Sequence, residues 1–301
     1  MSHDRGLRRP HDVKNDLDGL AAEFQAIRPR LVGVAYGLLG TVDEADDVVQ
    51  DAWLRLVRAD RTEIRDVTGW LVVTVSRLAL DVLRSARVRR EEYVGPWLPE
   101  PVVQEADPAE RVTLDESMSL AMLVVLESLS PAERTAFVLH DVFGLSFAEV
   151  GEAVGRTPAA CRQLAARARR HVSARAPRFD VDTAEHRRVV DAFAEASAGR
   201  DLGALLALLD PDVVLRSDGG GVVRAARRPI LGADRVARFV LGVAERFGAG
   251  HRLRPSTVNG RPGLLRFQGK DLVGVMGLTV ANGRITEIDT VMNPEKLRRV
   301  R

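Results

Sequence analysis

The stretch from Leu145 to Val172 constrains this chain more than any other. Ser146-Phe147-Ala148-Glu149 is a capping box, in which the serine takes an orphan amide and the glutamate reaches back to the serine. A turn at Gly155-Arg156-Thr157 follows, and Thr157-Pro158 starts a second helix with an N-cap and a proline at its first position. Two capped helices around so short a turn have helix-turn-helix spacing. At roughly 100° per residue, Cys161, Leu164, Ala165, Ala168 and Val172 share the inward face of the second helix. The opposite face carries Ala159, Gln163, Ala166 and Arg170, flanked by Arg162 and Arg167. Alanines let a helix approach a groove floor, glutamine reads adenine, and arginine reads guanine or grips phosphate. A solvated basic helix of an ordinary bundle carries the same pattern, so both readings stand at this point. Cys161 reads as a small buried residue, with a redox-sensing thiol as the alternative.

Charge is uneven along the chain. The net charge is only +2, yet Pro158 to Phe179 holds Arg162, Arg167, Arg169, Arg170, Arg175 and Arg178 and no acid, while Asp43 to Asp51 holds Asp43, Glu44, Asp46, Asp47 and Asp51 and no base. The first segment suits phosphate and the second a basic protein surface. With 301 residues, several compact units are expected rather than one. No apolar run reaches spanning length, so no membrane partner is expected, and the polar stretch Met1 to Asp18 lacks a signal peptide's apolar core, which predicts a cytoplasmic address. The single cysteine rules out a disulfide framework and a multi-cysteine zinc site, and no motif for a metal, a nucleotide or another cofactor is present.

From about Leu20 to Arg90 apolar residues recur at helical spacing. Thr41 and Glu44 predict a capping box for a second helix, with Ala45, Val49, Ala52 and Leu56 on one face and Asp43, Asp47, Gln50 and Leu54 on another. A third helix, about Gly69 to Arg87, is expected to bury Leu71, Val75, Leu78 and Val82 and to leave Trp70, Thr74, Arg77 and Arg84 outside. Three prolines in Gly95 to Pro101 then fix an extended linker. Helical periodicity resumes with Leu114, Met118, Ala121 and Val125, and Ser130-Pro131-Ala132-Glu133 is a further capping box. Beyond Ala176-Pro177, helices about Ala184–Ala198, Leu202–Leu209 and Ala233–Phe247 alternate with a strand near Val213–Ser217. Asn259-Gly260 and Asn282-Gly283 mark hairpins among runs such as Leu264–Phe267, Leu272–Val280 and Arg284–Val291, an α+β domain.

These residues resemble a known family. Leu31 to Leu56, with Asp43 through Trp53, resembles the core-polymerase-binding part of region two of bacterial sigma factors. Thr68-Gly69-Trp70-Leu71 through Arg90 resembles that family's promoter-melting and −10-reading helix, and Leu129 through Arg170 resembles region four, which reads the −35 element. With no region three between them, the arrangement is that of the extracytoplasmic-function type. Trp97-Leu98-Pro99-Glu100-Pro101, Asp218-Gly219-Gly220-Gly221 and Asn293-Pro294-Glu295-Lys296-Leu297 resemble the SigJ-type subgroup, whose members carry a SnoaL-like domain. The resemblance implies a multidomain chain. Residues 18–92 form an all-α region two, 93–112 a linker, 113–176 a helix-turn-helix region four, and 182–301 an α+β cone of the SnoaL or nuclear-transport-factor-two type that regulates in cis.

The implied partners are core RNA polymerase, through a basic clamp surface of its β′ subunit, and promoter DNA. Polymerase would meet Asp43, Asp47, Gln50, Asp51, Trp53 and Leu54. Separated strands would meet Trp70, Arg77, Arg84 and Arg87, although Trp70 reads equally as core. Duplex would meet Ala159, Arg162, Gln163, Ala166, Arg167 and Arg170. Trp97, Pro99, Asp218, Gly219, Gly220, Gly221, Asn293, Pro294, Lys296 and Leu297 would carry regulation, with the cone touching the first module or the linker. A small-molecule ligand of the cone, bound or transformed, is the alternative: Asp218 as general base with His251 assisting, against a turn or interface role for Asp218. A catalyst would show a deep pocket with Asp218 or His251 pointing inward, whereas an interface would leave them along the rim.

Overall fold

The computed structural model describes residues 10–104, 118–175 and 182–300. Three helices open the chain: α1 (Pro10–Leu39), α2 (Val42–Arg58) and α3 (Val67–Glu91). The apolar stripe of α2, Ala45, Val49, Ala52 and Leu56, is buried as its spacing requires. The capping box expected at its start is not made: the Thr41 hydroxyl donates to the Glu44 carboxylate at 2.7 Å and caps no backbone amide.

Then follow α4 (Leu120–Leu126), α5 (Pro131–Phe137), α6 (Phe147–Val154) and α7 (Pro158–Arg175). Both boxes expected at Ser130/Glu133 and Ser146/Glu149 are formed reciprocally, Gly155 stops α6 with φ +70°, and the Ala160 amide donates to the Thr157 hydroxyl. These two sets of helices do not stand apart. One hydrophobic core runs from Leu20 through Leu83 and on through Met118 to Val172, with α5 and α6 packed across α3. That covering helix pair corrects the expectation for α3: Thr74 is buried rather than outward, and Trp70 is half-buried against the shared core.

The C-terminal part contains α8 (Thr183–Gly199), α9 (Leu202–Leu208), β2 (Leu209–Asp218), β3 (Ile230–Leu231), α10 (Ala233–Phe247), β4 (His251–Val258), β5 (Arg261–Gln268), β6 (Asp271–Ala281) and β7 (Arg284–Val291). Asn259 and Asn282 take positive φ with glycine following each, the two left-handed residues that a tight hairpin demands. The sheet order is β1 (Val103–Gln104), β4, β5, β6, β7, β2, β3, antiparallel throughout except for β2 beside β7, and its register shifts bend it. The strand β1 comes from the linker and pairs with Val258 and Thr257 of β4.

Side chains of this sheet alternate between two cores. One face, with Leu264, Met276, Leu278 and Ile288, packs on α8, α9 and α10. The other, with Val258, Leu265, Val275 and Val291, packs on Leu98 of the linker, Leu120 of α4, and Leu297 and Val300 of the C-terminal segment. Gly277 makes that second core possible, since a Cβ there would lie 2.9 Å from the Leu120 side chain. The α+β domain is thus built into the helical part through the linker. Among the described residues no helix is long and apolar enough to cross a membrane, and no group of three or more His, Cys, Asp or Glu side chains is placed to hold a metal.

Candidate functional sites: two charged helix faces and a buried joint

The outer face of α7 is as its periodicity predicts. Ala159, Arg162, Gln163, Ala166, Arg167 and Arg170 are all exposed, while Cys161, Leu164, Ala165, Ala168 and Val172 are buried, and burial pushes the Cys161 thiol up, away from the reactive thiolate. Arg162 lies over the Phe147 ring at 5.7 Å, and Arg167 pairs with Glu133 at 3.1 Å. Gln163, Ala166 and Arg170 thus form one exposed strip carrying an amide, a methyl and a guanidinium.

On α2, Asp43, Asp47, Gln50, Asp51 and Leu54 are exposed. Trp53 is half-buried, its ring 4.8 Å from that of Phe24, so much of it belongs to the core. Arg299 of the C-terminal segment reaches this face: its guanidinium lies 2.6 Å from Asp43 and 2.8 Å from Asp46, which also takes a bond from Arg28. The Arg77 Nε of α3 donates to the Glu152 carbonyl of α6 at 2.9 Å, while Arg84 is exposed beside Asp81. Arg87 continues α3, and its side chain lies outside the described residues.

The three motifs scattered between Trp97 and Leu297 meet in one place. Asp218 closes β2 with no exposed surface. Its Oδ1 accepts from the Tyr93 hydroxyl at 2.5 Å and the Gly220 amide at 3.0 Å, and its Oδ2 accepts from the Leu98 amide at 2.9 Å and from Lys296 Nζ at 2.7 Å. The ammonium also donates to the Leu98 carbonyl and sits 4.0 Å from the centre of the Trp97 ring. Burial, and then the carboxylate it faces, push the Tyr93 hydroxyl up, so it stays a donor. Asn293 donates to that same hydroxyl, and its amide group would collide with any Cβ at Gly220, whose φ of +65° favours glycine as well. Gly221, also left-handed, lies against Val94, Gly219 is buried under the Val223 carbonyl, Pro294 is exposed, and Leu297 is buried in the second core. With four donors on it, Asp218 has no lone pair to spare for proton abstraction, so this geometry gives it an interface role and not that of a base.

The linker is fixed at its other end to the first helices. Pro99 and Pro101 are buried. Between them Glu100 donates its amide to the Gly40 carbonyl, accepts the Val42 amide on its carboxylate, and takes the Tyr36 hydroxyl on its carbonyl, each at 2.7 Å. Asn259 completes the chain of bonds by donating to Tyr36 and exchanging two bonds with Val102. Sequence reasoning missed Tyr36, Tyr93, Asn259 and Arg299. Only the hairpin signal at Asn259-Gly260 marked any of them, and for a different reason.

Comparison with known proteins follows the same division. The family model for sigma-70 region 2 matches residues 24–89, and that for sigma-70 region 4 matches residues 119–172. The chain is 44% identical to the ECF RNA polymerase sigma factor SigJ of Mycobacterium tuberculosis over 91% of this chain and 92% of that one. It is 40% identical to the probable ECF RNA polymerase sigma factor SigI of the same species, over 93% and 95% of the two chains. The crystal structure of the Mycobacterium tuberculosis SigJ superposes with a TM-score of 0.76 at 40% identity, covering 92% of this chain and 98% of that one.

Proposed function

The chain belongs to the extracytoplasmic-function sigma factors, which direct promoter-specific initiation by RNA polymerase, and from that premise we propose that its C-terminal domain restrains it in cis by occupying the polymerase-docking face and holding the two DNA-reading modules together. In this reading residues 18–92 dock through Asp43, Asp47, Gln50, Asp51, Trp53 and Leu54 and read the −10 element with Trp70, Arg77, Arg84 and Arg87. Residues 113–176 read the −35 element with Ala159, Arg162, Gln163, Ala166, Arg167 and Arg170, and residues 182–301 regulate through the joint of Trp97, Pro99, Asp218 to Gly221, Asn293, Pro294, Lys296 and Leu297. The sigma factor breaks no covalent bond, and it acts in the cytoplasm beside the chromosome.

The observation that carries the reading is Arg299 on Asp43 and Asp46. A basic surface of polymerase competes for the same carboxylates. The shared core adds a geometric argument. Elements named −35 and −10 lie roughly 85 Å apart along straight duplex at about 3.4 Å per base pair. Two helical modules sharing one core do not reach across that distance, so they part when both elements are read.

The test is affinity for purified core polymerase, measured with the full-length protein. Exposed ion pairs are worth about 0.2–1 kcal/mol each. Arg299→Glu, which loses two of them, should therefore bind core roughly 2–30-fold more tightly. Asp47→Lys with Asp51→Lys should bind more weakly with an unchanged helical spectrum. Unchanged or weaker binding by Arg299→Glu rejects occupation of the docking face, and unchanged binding by the lysine pair rejects the face itself.

A further inference from the structure

A cavity of about 750 Å³ lies inside the C-terminal domain, between the bent sheet, α10 and the segment 222–226. Its walls are mostly apolar: Leu215, Phe239, Val243, Leu253 and Met276 among them. No carboxylate lines it; the exposed Arg224 and Arg246 do, and so do Arg266 and His251, of which only Arg266 is a buried charge. Arg266 is 7% exposed. Its Nε donates to His251 Nε2 at 2.9 Å, its Nη1 points at the Met292 sulfur at 3.0 Å, and its guanidinium lies 4.8 Å from the centre of the Phe247 ring. Among the described residues it makes no ion pair.

Such a guanidinium is costly. A buried charge is ordinarily paired with an opposite one, because leaving it unpaired forfeits its hydration with nothing in return. Here, among the described residues, its partners are a neutral imidazole, a weak thioether acceptor and a ring face, and burial alone pulls the guanidinium below the usual arginine range. His251 accepts the Nε–H, so its Nε2 is unprotonated; burial and the neighbouring Arg266 hold the imidazole below its ordinary range. A guanidinium carries five N–H groups, and two are directed at protein atoms, which leaves donors of the fork for an outside acceptor. The cavity volume falls in the range of small-molecule sites, whose walls are apolar with a few placed polar groups.

We propose that this cavity binds an amphipathic monoanion, an apolar body ending in a carboxylate, with the carboxylate on Arg266 and the body along Leu215, Phe239, Val243 and Met276. The position matters as well as the chemistry. Ser217 and Met292 line the cavity, and the next residues along the chain, Asp218 and Asn293, tie the joint to the linker. A bound anion therefore sits against the two strand ends that hold the joint.

The test is calorimetric titration of the full-length protein with decanoate and with decan-1-ol, each below the concentration at which it self-associates. Decanoate should bind one to one and at least tenfold more tightly than the alcohol. In Arg266→Met that preference should vanish while the alcohol binds as before. If Arg266→Met does not fold, Gly242→Phe decides: Gly242 lines the cavity and a Cβ there meets nothing within 4 Å, so the larger side chain starts in open space, and decanoate affinity should fall at least tenfold. No saturable decanoate binding, no preference over the alcohol, a preference that survives Arg266→Met, or undiminished binding in Gly242→Phe each overturns the proposal. None of these outcomes bears on the Arg299 contact, so the binding claim and the restraint in cis fail separately.

Discussion

Replacing Lys296 by methionine removes one charge from the joint and keeps the length of the side chain. In the wild type the ammonium is buried 2.7 Å from the Asp218 carboxylate, bonded to the Leu98 carbonyl, and stacked on Trp97. Breaking a buried pair from one side costs about 3–5 kcal/mol, because the remaining charge stays buried without its partner. Three donors remain on Asp218, from Tyr93, Leu98 and Gly220, which sets the loss at the low end of that range. The orphaned Leu98 carbonyl adds about 1 kcal/mol, while the methionine sulfur on the Trp97 ring returns about as much. The net expectation is about 3 kcal/mol, more than a hundredfold in the balance between closed and open joint. The assay is amide hydrogen exchange of the linker, since the Leu98, Glu100 and Val102 amides are each bonded across the joint, to Asp218, Gly40 and Asn259. Protection at these three should fall together by about two orders of magnitude, and Asp218→Asn with Lys296→Met should cost less than the two single changes added. A loss below about 1 kcal/mol, or strict additivity in the double variant, refutes the claim that the charge pair holds the joint shut.

Two other expectations concern DNA and pH. Arg162→Ala or Gln163→Ala should weaken −35 recognition, by about 1–3 kcal/mol where the lost contact is a bidentate base contact and by a smaller, salt-sensitive amount where it is a phosphate contact; footprints indistinguishable from wild type would remove these residues from the reading face. Burial raises the Asp289 carboxyl to about 6 against the pull of Arg216, so the folded state holds a proton that the unfolded chain releases near 3.8. This contribution is complete below 3.8 and is lost as pH rises through 6. Asp289→Asn cannot ionise, so its stability relative to wild type should rise by about 1.4 kcal/mol between pH 5 and pH 8 in urea titrations; a difference constant with pH counts against it.

What the sequence revealed followed the range of the interactions. The helix-turn-helix was legible because its boxes at Ser130 and Ser146, its Thr157-Pro158 start and the inward row from Cys161 to Val172 are all local. So were α10 and β7, whose observed bounds are Ala233–Phe247 and Arg284–Val291. The burial of Thr74 was not legible, because it depends on α5 and α6 crossing α3 from far along the chain. Nor was the pairing of Arg299 with Asp43, where two ordinary surface charges meet only after every other element is in place. Arg266 did leave a trace: with Leu264 it shares one side of a period-two strand, so a charge occupied a core-facing position.

The strand β1 bears on how this chain avoids sticking to itself. A sheet that ends in an unpaired strand offers its N–H and C=O groups to any neighbour, and proteins blunt such edges with charges, prolines or a cover. Along β4 the first half carries exposed Arg252, Arg254 and Pro255, which discourage an incoming strand. Its last two residues, Thr257 and Val258, carry no such guard and are covered by Val103 and Gln104 of the linker instead. Opening the joint therefore bares a short, partly apolar template for strand addition. On the proposed restraint in cis, a released sigma factor that found no polymerase would be exposed to self-association through that edge, and closure would guard against it.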